Sequence, residues 1–268
     1  QKQTSGGNKT DYTKIFWRPT VGKQQIRIVP SAYNSKNPFK ELKFYYGITN
    51  KVMISPQNFG EKDPIQLFAQ KLRGGEYNKE NYILAKKLDA KTRIFVPVIV
   101  RGEEDKGVRL WQFGKLIYEE LLSLAVDEEI GDYTDIVGGR DLTIETVGPE
   151  STGTQYNKSS VRVRLKQTPL SDDAALVEKW KTEQPDPNAE FKKFTFDEMK
   201  SALEKWLAPE TDEEGSIISE PNDDFEDTTQ SEGSKFSLDT SKAKQNKTDQ
   251  FDSLFDGKKD GKVDDLPF

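Results

Sequence analysis

The 268-residue chain is 33% hydrophobic and 32% charged, against about 45–50% apolar (glycine included) in an average globular domain, so part of it is expected to lie outside any packed core. With no Cys and no His it excludes disulfides, thiolate zinc sites and Ser–His or Cys–His nucleophiles. No apolar run reaches the roughly 18 residues of a membrane-spanning helix, and the polar first ten residues do not read as a signal peptide. The net charge of −6 hides an asymmetry. Residues 1–118 hold 22 basic and 10 acidic side chains, residues 119–208 hold 11 and 19, and residues 209–268 hold 7 and 17. A basic half followed by acidic segments points to a surface for a polyanion and an acidic tail.

In chain order, residues 1–11 read as a flexible N-terminal arm. Ile26–Val29 is a short strand ending at Pro30, and Leu42–Tyr46 alternates as a second strand. Lys51–Ile54 is placed to pair with it across Gly47–Asn50. Ile65–Arg73 and Lys79–Lys87 have helical patterns and lie in an insertion at about 50–90. Arg93–Val100 is the most apolar run and predicts a central strand, with Pro97 indicating a bulge or an edge. After Gly107, Val108–Phe113 alternates. Lys115–Ala125 is the clearest helix, with Leu116, Ile117, Leu121 and Leu124 on an apolar stripe. Arg140–Val147 and Ser160–Gln167 are further strands; in the second, Val161, Val163 and Leu165 alternate with Arg162, Arg164 and Lys166. Ala174–Lys181 and Phe196–Leu207 read as surface helices of an extension over 171–208. Residues 210–234 carry ten acids and no Lys or Arg, so 209–268 is expected to be a disordered acidic tail.

Three constellations bear on function. Cations and flat rings share strand faces: Lys43 with Tyr45, Arg93 with Phe95, Arg109 with Trp111 and Phe113, and the row Arg162, Arg164, Lys166. Cations neutralise phosphates, and rings stack on bases at about 1–3 kcal/mol each, so these faces suit a single nucleic-acid strand read without sequence preference. The chain ends in Asp264, Asp265, Leu266, Pro267 and Phe268, an apolar tip with a carboxylate that suits docking into a partner's pocket. Acid clusters at Glu103–Asp105, Asp127–Glu129, Asp132 and Asp135 keep a magnesium-dependent nuclease open as an alternative, although adjacent acids are more often a solvated turn.

The segments Gln25–Ser31, Pro38–Phe39, Val108–Phe113 leading into Gly114–Lys115, and the basic strand 161–167 together resemble the single-stranded DNA-binding proteins of T-even-like phages. The resemblance covers roughly residues 12–170 and extends to the acidic tail. It implies a mainly β (α+β) fold: an OB-fold five-stranded barrel core over 12–170 with a helical insertion at 50–90, and a DNA cleft containing Trp111, Phe113 and Lys115. The family's insertion holds zinc through Cys and His, both missing here, so apolar packing by Ile54, Phe59, Ile65, Leu67 and Phe68 is expected to replace the metal. The tip 264–268 is similar to that of bacterial single-stranded DNA-binding proteins.

The expected function is therefore non-enzymatic, sequence-indifferent binding of single-stranded DNA in replication, recombination and repair, with no cofactor and no membrane partner. Its place would be the cytoplasm, that of a bacterial host for a phage protein. Its expected DNA-binding residues are Arg27, Lys43, Tyr45, Arg93, Arg109, Trp111, Phe113, Lys115, Arg162, Arg164 and Lys166. Residues 264–268 would recruit replication and repair proteins, and cooperative self-association on DNA is a further expectation. An RNA-binding OB-fold module is the other alternative.

Overall fold

The computed structural model describes residues 12–34, 36–74, 76–208 and 247–255. Among them are the strands β1 (Phe16–Trp17), β2 (Gly22–Ile28), β3 (Lys40–Tyr45), β4 (Met53–Ile54), β5 (Lys91–Val100), β6 (Arg109–Phe113), β7 (Arg140–Val147) and β8 (Lys158–Gln167). The helices are α1 (Tyr12–Ile15), α2 (Pro64–Arg73), α3 (Lys79–Lys87), α4 (Lys115–Ala125), α5 (Pro149–Thr152), α6 (Ala174–Thr182), α7 (Phe196–Leu207) and α8 (Thr248–Phe255). The fold is thus mixed α+β. Two compact units share the chain: one takes the residues up to 42 and 92–192, the other 43–91, 193–208 and 247–255 among the described residues. No helix among them is long and apolar enough to cross a membrane.

In the first unit the strands neighbour one another in the order β1-β6-β5-β2-β7-β8. All pairs are antiparallel except β1 with β6, which is parallel. These pairings form an open sheet with β1 and β8 at its ends. One face carries the core of Ile26, Ile28, Val96, Val98, Trp111, Leu142, Ile144 and Val161, closed by Ile117 and Leu121 of α4. Helix α4 spans the expected residues, and its stripe is rotated: Ile117 and Leu121 are buried while Leu116 is exposed. A second cluster of Val29, Ile99, Val108, Leu170 and Trp180 packs around α6.

Pro97 causes neither a bulge nor an edge. It keeps register with Leu110 of β6, and its carbonyl accepts the Val29 N–H at 2.9 Å. In an antiparallel strand a residue's N and O face the same neighbour. The missing N–H therefore faces β2 where β2 ends, since β2 pairs with β5 only from Val98 onward.

The second unit begins with the β3–β4 pairing, Phe44 opposite Ile54 and Tyr45 opposite Met53. Its core joins Tyr45, Met53, Ile65, Phe68, Leu72, Leu84, Met199, Leu203, Leu207 and Phe251. The five residues expected to form a small apolar core in the insertion do so in part. Ile65 and Phe68 lie in this core and Ile54 is buried, but Leu67 and Phe59 are only half-buried, with the Lys193 ammonium 4.0 Å over the Phe59 ring. A buried carboxylate also organises this region. Asp63, 2% exposed, accepts hydrogen bonds from Ser55 Oγ (2.5 Å), Tyr45 Oη (2.8 Å) and the backbone N–H groups of Ile65 (3.0 Å) and Gln66 (3.2 Å). It is at once the N-cap of α2 and the hub that ties α2 to β3 and to the turn after β4.

The expectation of disorder through residues 209–268 is corrected at one place. Residues 248–255 form α8, whose Phe251, Leu254 and Phe255 fall on one face at i, i+3, i+4 spacing and join the second unit's core. Residues 209–246, the tip Asp264–Phe268 and the arm 1–11 lie outside the described residues.

Candidate nucleic-acid interface

Among the described residues the strand β8 ends the sheet on one side, and along its outer face the neighbouring strands are β7 and then β2. On that face Lys23 of β2 lies opposite Glu145 of β7, and Arg162 of β8 lies opposite Thr143. Glu145 is shared between Lys23 Nζ at 3.5 Å and Arg162 Nη2 at 3.9 Å. Lys158, Arg162, Arg164 and Lys166 are all exposed along β8. Among the described residues Arg164 and Lys166 form no ion pair, so this edge holds more positive charge than Glu145 offsets.

The end of β8 is reshaped by a register shift. Gln167 pairs with Arg140 and Val163 with Leu142, so residues 164–166 of β8 stand opposite Asp141 alone. Such a bulge turns its strand out of the regular pleat. As a result Leu165, expected to face inward with Val161 and Val163, is 85% exposed. The guanidinium of Arg140 props the bulge, donating to the carbonyls of Leu165 and of Ile130.

On the partner side of the shift Asp141 receives two arginines. Arg101 donates from Nη2 (2.9 Å) and Nε (3.1 Å), and Arg27 from Nη1 (3.3 Å). Arg27 is fully buried and also donates from Nη2 to the carbonyls of Thr168 (2.7 Å) and Asp135 (2.9 Å). Burial, above all, lowers its pKa, against the attraction of Asp141; the nearby Arg101 lowers it further. The cluster holds the 135–139 loop to the sheet, and Gly139 is required there. A Cβ at that position would lie 2.2 Å from the Asp135 carbonyl and 2.6 Å from Arg27 Nη2.

Of the expected DNA-binding residues, Lys43, Lys115, Arg162, Arg164 and Lys166 are exposed. Lys115 pairs with Glu119 one turn along α4 at 3.2 Å, and Lys43 lies on the second unit's hairpin. The other six are buried, which corrects their expected role. Trp111, 1% exposed, lies edge-on to Trp17 (5.7 Å between centroids) and 4.5 Å from Phe113, both within the sheet's core. Tyr45 is buried against Asp63, and burial first, then the Asp63 charge, raises its pKa. Arg93 is buried, Arg27 is committed to Asp141, and Arg109 donates to Glu103 at 2.5 Å. The Arg109 and Lys106 contacts in turn hold Glu103 below the usual carboxylate range.

The acid clusters are likewise engaged locally. Asp132 accepts from Thr134, and Asp135 from the N–H groups of Val137 and Gly138, which lower its pKa. Among the described residues no three acids converge to hold a metal ion. A cleft of about 700 Å³ in the first unit is lined by Asn34, Asn37, Phe39, Tyr118, Asp132 and Thr134 among others, and none of the expected DNA-binding residues reaches it.

Rings that do face solvent were missed by the sequence reading: Tyr12, Tyr33, and the pair Tyr77 and Tyr82, whose centroids lie 6.4 Å apart. The available signal was context. Tyr77 stands in a polar stretch between Gly75 and Asn81 with no apolar alternation to take it into a core. No protein-family model matches the chain, and no curated protein matches it.

Proposed function

We propose that the chain binds single-stranded nucleic acid without sequence preference and without catalysis, taking phosphates along β8. The observation that carries this reading is the exposed row Arg162, Arg164 and Lys166 on one edge strand, in which Arg162 pairs with Glu145 while Arg164 and Lys166 form no ion pair among the described residues. Neutralised phosphates release counterions, so this edge favours a polyanion most strongly at low salt. The order of the central strands also supports it. The path β6-β5-β2-β7-β8, with α4 between β6 and β7, follows the third, second, first, fourth and fifth strands of an OB-fold. The OB-fold is a partly open barrel whose loop before the last strand commonly meets nucleic acid; here that loop is 148–157, leading straight into Lys158.

DNA is the partner expected from the phage-protein resemblance, and replication, recombination and repair are its expected setting, with the tip 264–268 recruiting partner proteins. Trp111, Phe113 and Tyr45 are buried and do not supply base stacking in this reading.

The test is a salt titration of oligo-dT, oligo-U and duplex binding. Each phosphate contact on a single strand contributes about 0.7 to the slope of log K against log salt. Replacing Arg162, Arg164 and Lys166 together by Ala should therefore lower the slope by about 2. An unchanged slope in a folded triple variant would refute the β8 assignment, and a preference for oligo-U would make RNA the partner.

A further inference from the structure

The second unit carries an apolar face between α2 and α7 whose occupant comes from far along the chain. Phe251 of α8, 1% exposed, lies 5.8 Å from the Phe68 ring, and Phe255 lies 6.0 Å from the Phe196 ring. The Lys200 ammonium of α7 stands 5.8 Å from the Phe251 centroid and 5.3 Å from that of Phe255, within cation–π range of both. The occupant is a single eight-residue helix, Thr-Asp-Gln-Phe-Asp-Ser-Leu-Phe, with two acids and no base. A helix this short is not stable alone in water, so its order comes from the face it covers. Leu254 and Phe255 remain half-buried, which makes the contact small. The 38 residues 209–246 lie between α7's end and α8.

These are the features of a linear peptide motif seated in a helical groove. We infer that the α2–α7 face is a docking site for a short acidic amphipathic helix with Phe-x-x-Leu-Phe spacing, and that besides the chain's own α8 it takes the α8 of a second copy. The second copy fits because its segment is chemically identical to the resident one, and Phe251 and Phe255 contact Phe68, Phe196 and Lys200 of α2 and α7, which every copy presents. Exchange of an identical element between copies creates association without new contacts. In an isolated molecule the resident segment is covalently attached, so a visiting segment must compete with it.

The experiment uses the full chain with Phe251→Ala and Phe255→Ala, which empties the groove from the peptide side and leaves α2 and α7 intact. A fluorescent peptide covering residues 247–256 should bind this variant, and bind the wild-type chain about tenfold more weakly, because the covalently attached α8 competes for the same face. A shuffled peptide should bind neither. A second full-length variant, Lys200→Glu, removes the cation above both rings and should release its own α8. Mixed with the emptied variant it should form a heterodimer in sedimentation velocity, while each alone stays monomeric. Equal peptide binding by wild type and emptied variant, no peptide binding by either, or a mixture that sediments as monomers would overturn the inference.

Discussion

Replacing Asp63 tests whether a single carboxylate organises the second unit. Its four hydrogen bonds come from two side chains and two backbone groups, all at or near the buried start of α2. Asp63→Ala removes an N-cap, which costs about 1 kcal/mol. It also leaves the hydroxyls of buried Tyr45 and Ser55 without their acceptor, at roughly 1–3 kcal/mol for each unsatisfied group. Partial relaxation brings the expected loss to about 3–5 kcal/mol, a large share of the stability of an ordinary domain. Asp63→Asn keeps one acceptor oxygen and should cost about half as much. The assay is urea unfolding combined with amide hydrogen exchange read over residues 64–73, which separates this unit from the other. A double-mutant cycle with Tyr45→Phe should give a coupling of about 1–2 kcal/mol, because Asp63→Ala costs less once the hydroxyl is gone. A loss below about 1 kcal/mol for Asp63→Ala, or additive effects in the cycle, would refute the hub.

Three further outcomes follow from the same structure. The raised pKa of Tyr45 means that above pH ~10 the unfolded chain loses a proton that the folded one keeps. The contribution is complete below that pH and falls as pH rises past it; the second unit should weaken in alkali, and Tyr45→Phe should flatten that decline in pH-dependent hydrogen exchange. Gly139→Ala should lower the first unit's thermal midpoint sharply or prevent folding, whereas Gly138→Ala, whose added Cβ meets nothing within 4 Å, should leave it nearly unchanged. Trp111→Phe should reduce stability by roughly 1–3 kcal/mol through lost packing while leaving oligo-dT affinity intact; a selective loss of affinity would restore Trp111 to the binding surface.

The sequence pattern located most strands and helices to within a few residues, because period-2 and period-3.6 apolar spacing survives in β8 and α4. It failed on which face is covered. Arg109, Trp111 and Phe113 do share a face of β6, but that face is the core, and Arg109 escapes only at the strand's start to reach Glu103. Phe95 is packed by Phe16 and Phe191, residues far away in the chain that no local periodicity records. For β8 nothing among the described residues covers the outer side, so alternation and exposure agree until the bulge turns Leu165 outward. The helix α8 was hidden for a related reason: three apolar residues in an acidic, polar stretch show a motif, while the groove that orders them is built from α2 and α7.

The second unit draws its interior from chain stretches made at very different times. Ile65, Phe68, Leu72 and Leu84 leave the ribosome more than a hundred residues ahead of Met199, Leu203 and Leu207, and Phe251 comes later still. At translation rates of about 5–20 residues per second, the early helices wait on the order of 10 s with their apolar sides uncovered. The nascent chain thus passes through a period in which the apolar sides of α2 and α3 are open to aggregation until residues 199–251 have been made to cover them.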